Sequence, residues 1–166
     1  MKIGVLSDTH AYLYPKIIDF FSECDEIWHC GDIGNITVFN QLKEFKTLRA
    51  VYGNIDGSDI RNQCKEIEVF NVEKLKVYMT HIGGYPPRYN TNTLHLLKKH
   101  QPDIFLCGHS HILRVMYDEV HQLLYINPGA AGLEGFHKKI TFLRFNIFEA
   151  NISDLEVYEI EKNILR

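Results

Sequence analysis

KIGVLSDTH occupies residues 2–10. Residues 2–7 form a short apolar run, the pattern of a buried strand, and the run empties into Asp8, Thr9 and His10. The residues downstream decide how that strand is used. Residues 14–23 carry Ile17, Ile18, Phe20 and Phe21 at helical spacing. EIWHC (26–30) reads as a second strand. Residues 36–45 place Val38, Leu42 and Phe45 on one helical face, and TLRAVYG (47–53) reads as a third strand. A β-α-β-α-β opening predicts parallel strands joined by crossover helices.

Further along, the alternation changes. Residues 66–81 read as two strands turning near Asn71–Lys74, a hairpin. Residues 91–100 begin with Thr and Asn, suited to a helix cap, and end in Lys98-Lys99 before His100. DIFLC (103–107) is another strand. From about residue 112 the helices largely vanish. Residues 113–120, 122–127, 139–147 and 152–160 read as successive antiparallel strands. A βαβ half feeding a β-rich half predicts an α/β fold: two mixed β-sheets packed face to face with helices outside, a four-layer α-β-β-α sandwich. No repeat or linker divides the 166 residues, so a single domain over 1–166 is expected.

Composition removes several function classes. The chain is 45% hydrophobic and 23% charged with a net charge of −3, which gives no global pull toward nucleic acid or membrane. No run is long and apolar enough to span a bilayer, and the N-terminus turns polar too soon for a signal peptide, so a cytoplasmic location is expected. Cys24, Cys30, Cys64 and Cys107 form no C-x-x-C pair, and no disulfide framework is expected. The first strand is not succeeded by G-x-G-x-x-G, so a dinucleotide-binding module lacks support.

The chemistry lies at strand ends. The first strand ends in Asp8-Thr9-His10, the second in Gly31-Asp32, and the third in Gly53-Asn54-Ile55-Asp56. Two later strands end in Thr80-His81 and Gly108-His109-Ser110-His111. Carboxyl ends of parallel strands share one edge of a sheet, and ligands bind there. Five such ends would bring Asp8, His10, Asp32, Asn54, His81, His109 and His111 to one rim. Glycine allows a sharp exit and close backbone approach at three of them. In an extended chain the one-residue spacing of Asp8/His10 and His109/His111 puts each pair on one face. Singly, most of these elements have a bland reading: a solvated turn for D-x-H, an Asx-turn or helix cap for Asn54 and Asp56, a satisfied polar residue for His81. Together and in order they do not. His29, His95, His100, His121 and His137 are read as structural.

Two carboxylates, one amide and four imidazoles are not a thiolate zinc knuckle. Seven ligands suit two octahedral or near-octahedral ions sharing a carboxylate, and Mn2+, iron, Zn2+ and Ni2+ are all chemically acceptable. Cys30 and Cys107 are read as small buried apolar residues.

The series D-x-H, G-D, G-N-x-D, T-H and G-H-x-H resembles the calcineurin-like metallophosphoesterase superfamily. Small size and a β-rich C-terminal half make the chain most similar to the single-domain YfcE/MJ0936-type phosphodiesterases, which share their fold with Vps29. The resemblance runs from residue 3 to about 130 and includes INPGAAG (126–132). It implies one metal held by Asp8, His10 and His111, another held by Asn54, His81 and His109, and Asp32 bridging them. Catalysis would rest on Asp32, Asn54, Asp56 and His81, with Asp56 orienting His10 or a metal-held group. It further implies two divalent ions, Mn2+ first and Zn2+, iron, Ni2+ or Mg2+ as alternatives. A hydroxide held between them would attack a small phosphate-ester substrate, a diester first and a monoester as the alternative. Two departures stand out: Ile55 replaces the His found in many relatives near the leaving group, and Gly83 falls where many have a second His. Arg88, in the loop 83–90, could reach a substrate phosphate; Tyr85 and Tyr89 could form a pocket wall or an interface. Ser110 is expected to point away from the site. The competing reading is a non-catalytic protein-binding scaffold like Vps29, which would have no need of all seven ligands. No membrane or nucleic-acid surface is expected, and a homo-oligomer stays open.

Overall fold

A computed structural model describes residues 1–165. Strands β1 (Lys2–Leu6), β2 (Glu26–His29) and β3 (Thr47–Ala50) run parallel, joined through helices α1 (Lys16–Phe20) and α2 (Ile36–Phe45). Asn35 caps α2, its side-chain oxygen accepting from the Val38 amide at 2.9 Å. The short α3 (Ser58–Arg61) comes after β3. Helix α1 is shorter than the periodicity predicts; Phe21 and Cys24 stay buried beyond its end.

The predicted hairpin is β4 (Ile67–Val72) and β5 (Leu75–Thr80). A hairpin not anticipated from the sequence, β6 (Gly84–Tyr85) with β7 (Arg88–Tyr89), occupies the loop 83–90. Helix α4 (Thr91–His100), capped by Asn90, carries the chain to β8 (Ile104–Leu106), parallel to β5. Then come β9 (Leu113–Asp118), β10 (Leu123–Pro128), β11 (Lys139–Phe148), β12 (Asn151–Glu161) and a 3-10 turn (Lys162–Leu165).

The last four strands are not one antiparallel run. β9 and β10 form an antiparallel pair, but β10 also lies parallel to β8. The chain then crosses to the first sheet, where β11 pairs antiparallel with β1. Two mixed five-stranded sheets result, ordered β12-β11-β1-β2-β3 and β4-β5-β8-β10-β9.

Strand alternation explains the layers. Ile3, Val5, Trp28, Leu143, Phe145 and Ile147 of the first sheet pack against Val77, Met79, Ile104, Leu106 and Ile126 of the second. The outer residues of the first sheet, among them Leu6, Ile27 and Phe142, pack with Ile17, Val38, Leu42 and Ile60. On the far side, Tyr78, Phe105 and Tyr125 pack with Leu97 of α4. The four-layer α-β-β-α sandwich is present. No helix among the described residues is long and apolar enough to cross a membrane.

Candidate metal centre

The five strand ends do meet, but not on the rim of one sheet. Asp8, Asp32 and Asn54 come after β1, β2 and β3 of the first sheet; His81 and His109 come after β5 and β8 of the second. The site therefore sits where the two sheets share an edge. Nor does the extended-chain alternation expected for the paired ligands hold. Asp8 (φ 56°), His10 (47°), Asp32 (55°), His109 (66°) and His111 (57°) are all left-handed. Each lies past its strand, in a turn that side chains ordinarily avoid, a frequent property of functional sites.

Backbone contacts hold these turns. The Asp8 amide donates to Gly31 O at 2.9 Å and the His10 amide to Asp32 O at 3.0 Å. Gly31, at φ 93°, lies so close to the His81 ring that a Cβ there would strike it. A Cβ on Gly108 would strike Ser7 and Asp8. INPGAAG is explained in the same way. Asn127 donates from Nδ2 to Gly108 O (2.8 Å) and Ser110 Oγ (3.1 Å), while the Gly132 amide donates to Asp8 O (3.0 Å). Ser110 thus joins neither ligand group but helps to tie its own loop.

Ligand-capable atoms of Asp8, His10 and His111 lie within 4.8 Å of one another, and so do those of Asp32, His81 and His109. His109 and His111 therefore fall in different groups. Asn54 Oδ1 lies 3.1 Å from His81 Nε2, on the side of the second group. Asp32 stands between the groups, with Oδ2 3.8 Å from His10 Nε2 and 3.3 Å from His81 Nε2. Its other oxygen accepts from the Ile55 amide at 3.0 Å.

Asp56 departs from the role expected of it. Its carboxylate accepts from the amides of Ile33 (3.2 Å), Gly34 (2.7 Å) and Gly53 (2.8 Å), and so clamps the loop after β2 to the loop after β3. It positions Asp32 and Asn54 through the main chain rather than touching His10. His29 is the satisfied core histidine expected. Its Nδ1 accepts from the Gly31 amide and its Nε2 meets Thr9 Oγ1 at 3.0 Å, beneath the Asp8–His10 turn. Burial, partly opposed by the Asp56 and Asp8 carboxylates, pushes its pKa down to about 4. His137, read as structural, instead reaches the site: its Nδ1 lies 3.1 Å from His111 Nδ1. Burial lowers its pKa too. No motif marks it, because it arrives from the loop before β11.

The electrostatics suit cations. Asp8 is fully buried, and its Oδ1 is the buried side-chain oxygen without a hydrogen bond among the described residues. Three imidazole Nε2 atoms face it, from His111 (3.1 Å), His10 (3.9 Å) and His81 (4.0 Å). His81 Nδ1 is 2.8 Å from Cys30 O, which can only accept, so Nδ1 carries a hydrogen. In the neutral ring Nε2 then turns a lone pair toward the oxygens of Asn54, Asp32 and Asp8. Burial works against a charge on His81, but Asp32 and Asp8 outweigh it and its pKa rises. Asp32 shows the mirror case: burial opposes its charge, His81 outweighs burial, and its pKa falls. A pocket in which an imidazole lone pair and the oxygens of Asn54, Asp32 and Asp8 converge fits a divalent cation, and this oxygen and imidazole donor set fits two.

Known proteins resemble this chain in sequence and in fold. The probable metallophosphoesterase MJ0623 of Methanocaldococcus jannaschii is 32% identical over 136 residues, covering 78% of this chain and 68% of that protein. The phosphodiesterase MJ0936 of the same organism is 32% identical over 149 residues, covering 78% and 83%. The crystal structure of Entamoeba histolytica Vps29 complexed with zinc superposes with a TM-score of 0.75 at 17% identity, over 98% of this chain and all of that one, a likeness of fold. The family described as the calcineurin-like phosphoesterase superfamily domain matches residues 1–150, and the chain belongs to it.

Proposed function

We propose that the chain is a phosphodiesterase that hydrolyses a small phosphate ester at a two-cation centre. Asp8, His10 and His111 would hold one ion, Asn54, His81 and His109 the other, and Asp32 would be shared. The observation that carries this reading is the orphaned Asp8 Oδ1, buried among three imidazole nitrogens. An unpartnered buried carboxylate oxygen costs folding free energy unless a ligand meets it. Ions bound there would acidify a water and offset the charge that builds on the phosphate oxygens.

The chain's own residues supply the rest. Asp32 is held in orientation by the Ile55 amide, so its Oδ2 stays aimed between the two groups. Arg88 is exposed and shares a recess of about 360 Å³ with Tyr85 and His109, where it would meet a non-bridging phosphate oxygen. Ile55, 46% exposed, offers no proton to a leaving group. The substrate that suits this chain is therefore an ester whose leaving group departs with little protonation. The relative named a phosphodiesterase supports the diester over the monoester.

Chelator-treated protein should lose turnover of bis-p-nitrophenyl phosphate, and Mn2+ should restore it. Faster turnover of p-nitrophenyl phosphate than of the diester would make the chain a monoesterase. Metal-loaded protein that turns over neither would overturn the enzyme reading in favour of a protein-binding scaffold.

A further inference from the structure

We propose that His137 is a positioning residue that holds His111 in the single tautomer able to bind a cation. The inference rests on the metal-centre reading above and extends it to a residue outside the ligand set. His111 Nδ1 and His137 Nδ1 are 3.1 Å apart, close enough that one hydrogen lies between them. His137 Nε2 is 3.0 Å from Gly132 O, which can only accept, so Nε2 carries a hydrogen. His111 Nε2 points the other way, 3.1 Å from Asp8 Oδ1 and 3.4 Å from His10 Nε2. To ligate a cation that nitrogen must be free of a proton. The proton of the neutral ring then sits on Nδ1, so His111 donates and His137 accepts. One condition at the ion assigns every hydrogen along the path from Asp8 through His111 and His137 to Gly132.

The path closes on itself. The Gly132 amide donates to Asp8 O at 3.0 Å, so the residue that anchors His137 also anchors the Asp8 turn. The loop carrying His137 is held from outside as well. Lys162 Nζ donates to Gly135 O at 2.8 Å, and the Lys162 amide donates to Lys138 O at 2.8 Å. A hydrogen-bond partner on the far nitrogen fixes the ring orientation of a metal-binding histidine and raises its basicity. His137 stands where such a partner must stand for His111.

The test is ion affinity, measured by equilibrium dialysis against Mn2+ with metal analysis. His109→Ala disables the other group, so that in this background the remaining ion reports on Asp8, His10 and His111. Adding His137→Leu should weaken that ion by about 10- to 100-fold. His137→Asn puts an amide oxygen where Nδ1 stands and should recover most of the loss. Thermal melts of the metal-free variants check that each folds. Unchanged affinity in His137→Leu, or an Asn variant as weak as the Leu variant, would overturn the inference. A wild-type chain that takes up no ion would instead bring down the metal-centre reading, and this inference with it.

Discussion

The two Asp/His groups that could hold metals offer the same chemistry but are supported by different means. In the Asp32–His81–His109 group, the far nitrogen of His81 rests on a main-chain carbonyl, Cys30 O at 2.8 Å, at the end of β2 in the sandwich core. In the Asp8–His10–His111 group, the far nitrogen of His111 rests on a side chain, His137, in a loop before β11. A main-chain carbonyl cannot be removed by substitution. A side-chain partner can. The first arrangement is as durable as the fold, and the second depends on one residue and on the turn that holds it.

Variants can break or sharpen that contrast. The largest effect is expected from Asp32→Asn, because Asp32 Oδ2 faces His10 of one group and His81 of the other. Turnover of an activated diester should fall by at least about 100-fold, and metal analysis should show both ions weakened. His109→Ala should weaken only one. Next comes Asp56→Ala, which strips the acceptor from the Ile33, Gly34 and Gly53 amides. Urea unfolding of the metal-free protein should show a loss of about 3 kcal/mol or more. Equal stability would mean that the two loops are held by something other than this clamp.

The smallest effect concerns His29, which lies beneath the Asp8–His10 turn. Its folded-state pKa is lowered from 6.5 to about 4, chiefly by burial. Below about pH 6.5 the unfolded chain takes up a proton that the folded chain refuses, so this contribution is whole above that pH and is lost as pH falls toward about 4. Thermal melts of metal-free protein across that range should show the decline, and His29→Gln should flatten it. An unchanged slope in the variant would assign the decline to other groups.

Much of this was legible because it is local. Apolar runs of strand length, each closed by Gly, Asp, Asn or His, mark β1, β2, β3, β5 and β8 without knowledge of what lies beside them. Helix α4 announces itself through its Thr/Asn start and Lys98-Lys99, although the residue that caps it is Asn90, one position before that start. Where local pattern failed, long-range pairing had decided. Nothing in residues 122–127 distinguishes a strand that pairs parallel with β8 on one side and antiparallel with β9 on the other. The hairpin at 84–89 is two residues on each side, too short for periodicity to register.

By itself the sequence marked the Asp, Asn and His residues that gather at the site, because each motif places its polar residues at a strand end and strand ends are readable one at a time. The tertiary structure decided how they converge. Left-handed turns at Asp8, His10, Asp32, His109 and His111, rather than strand alternation, aim the side chains. Those conformations are imposed by contacts far apart in sequence: Gly31 against His81, Gly108 against Asp8, Asn127 on the loop of Gly108. His137 enters in the same way, 26 residues after His111, since a hydrogen bond between two rings needs only their final positions and leaves no spacing for a motif to show.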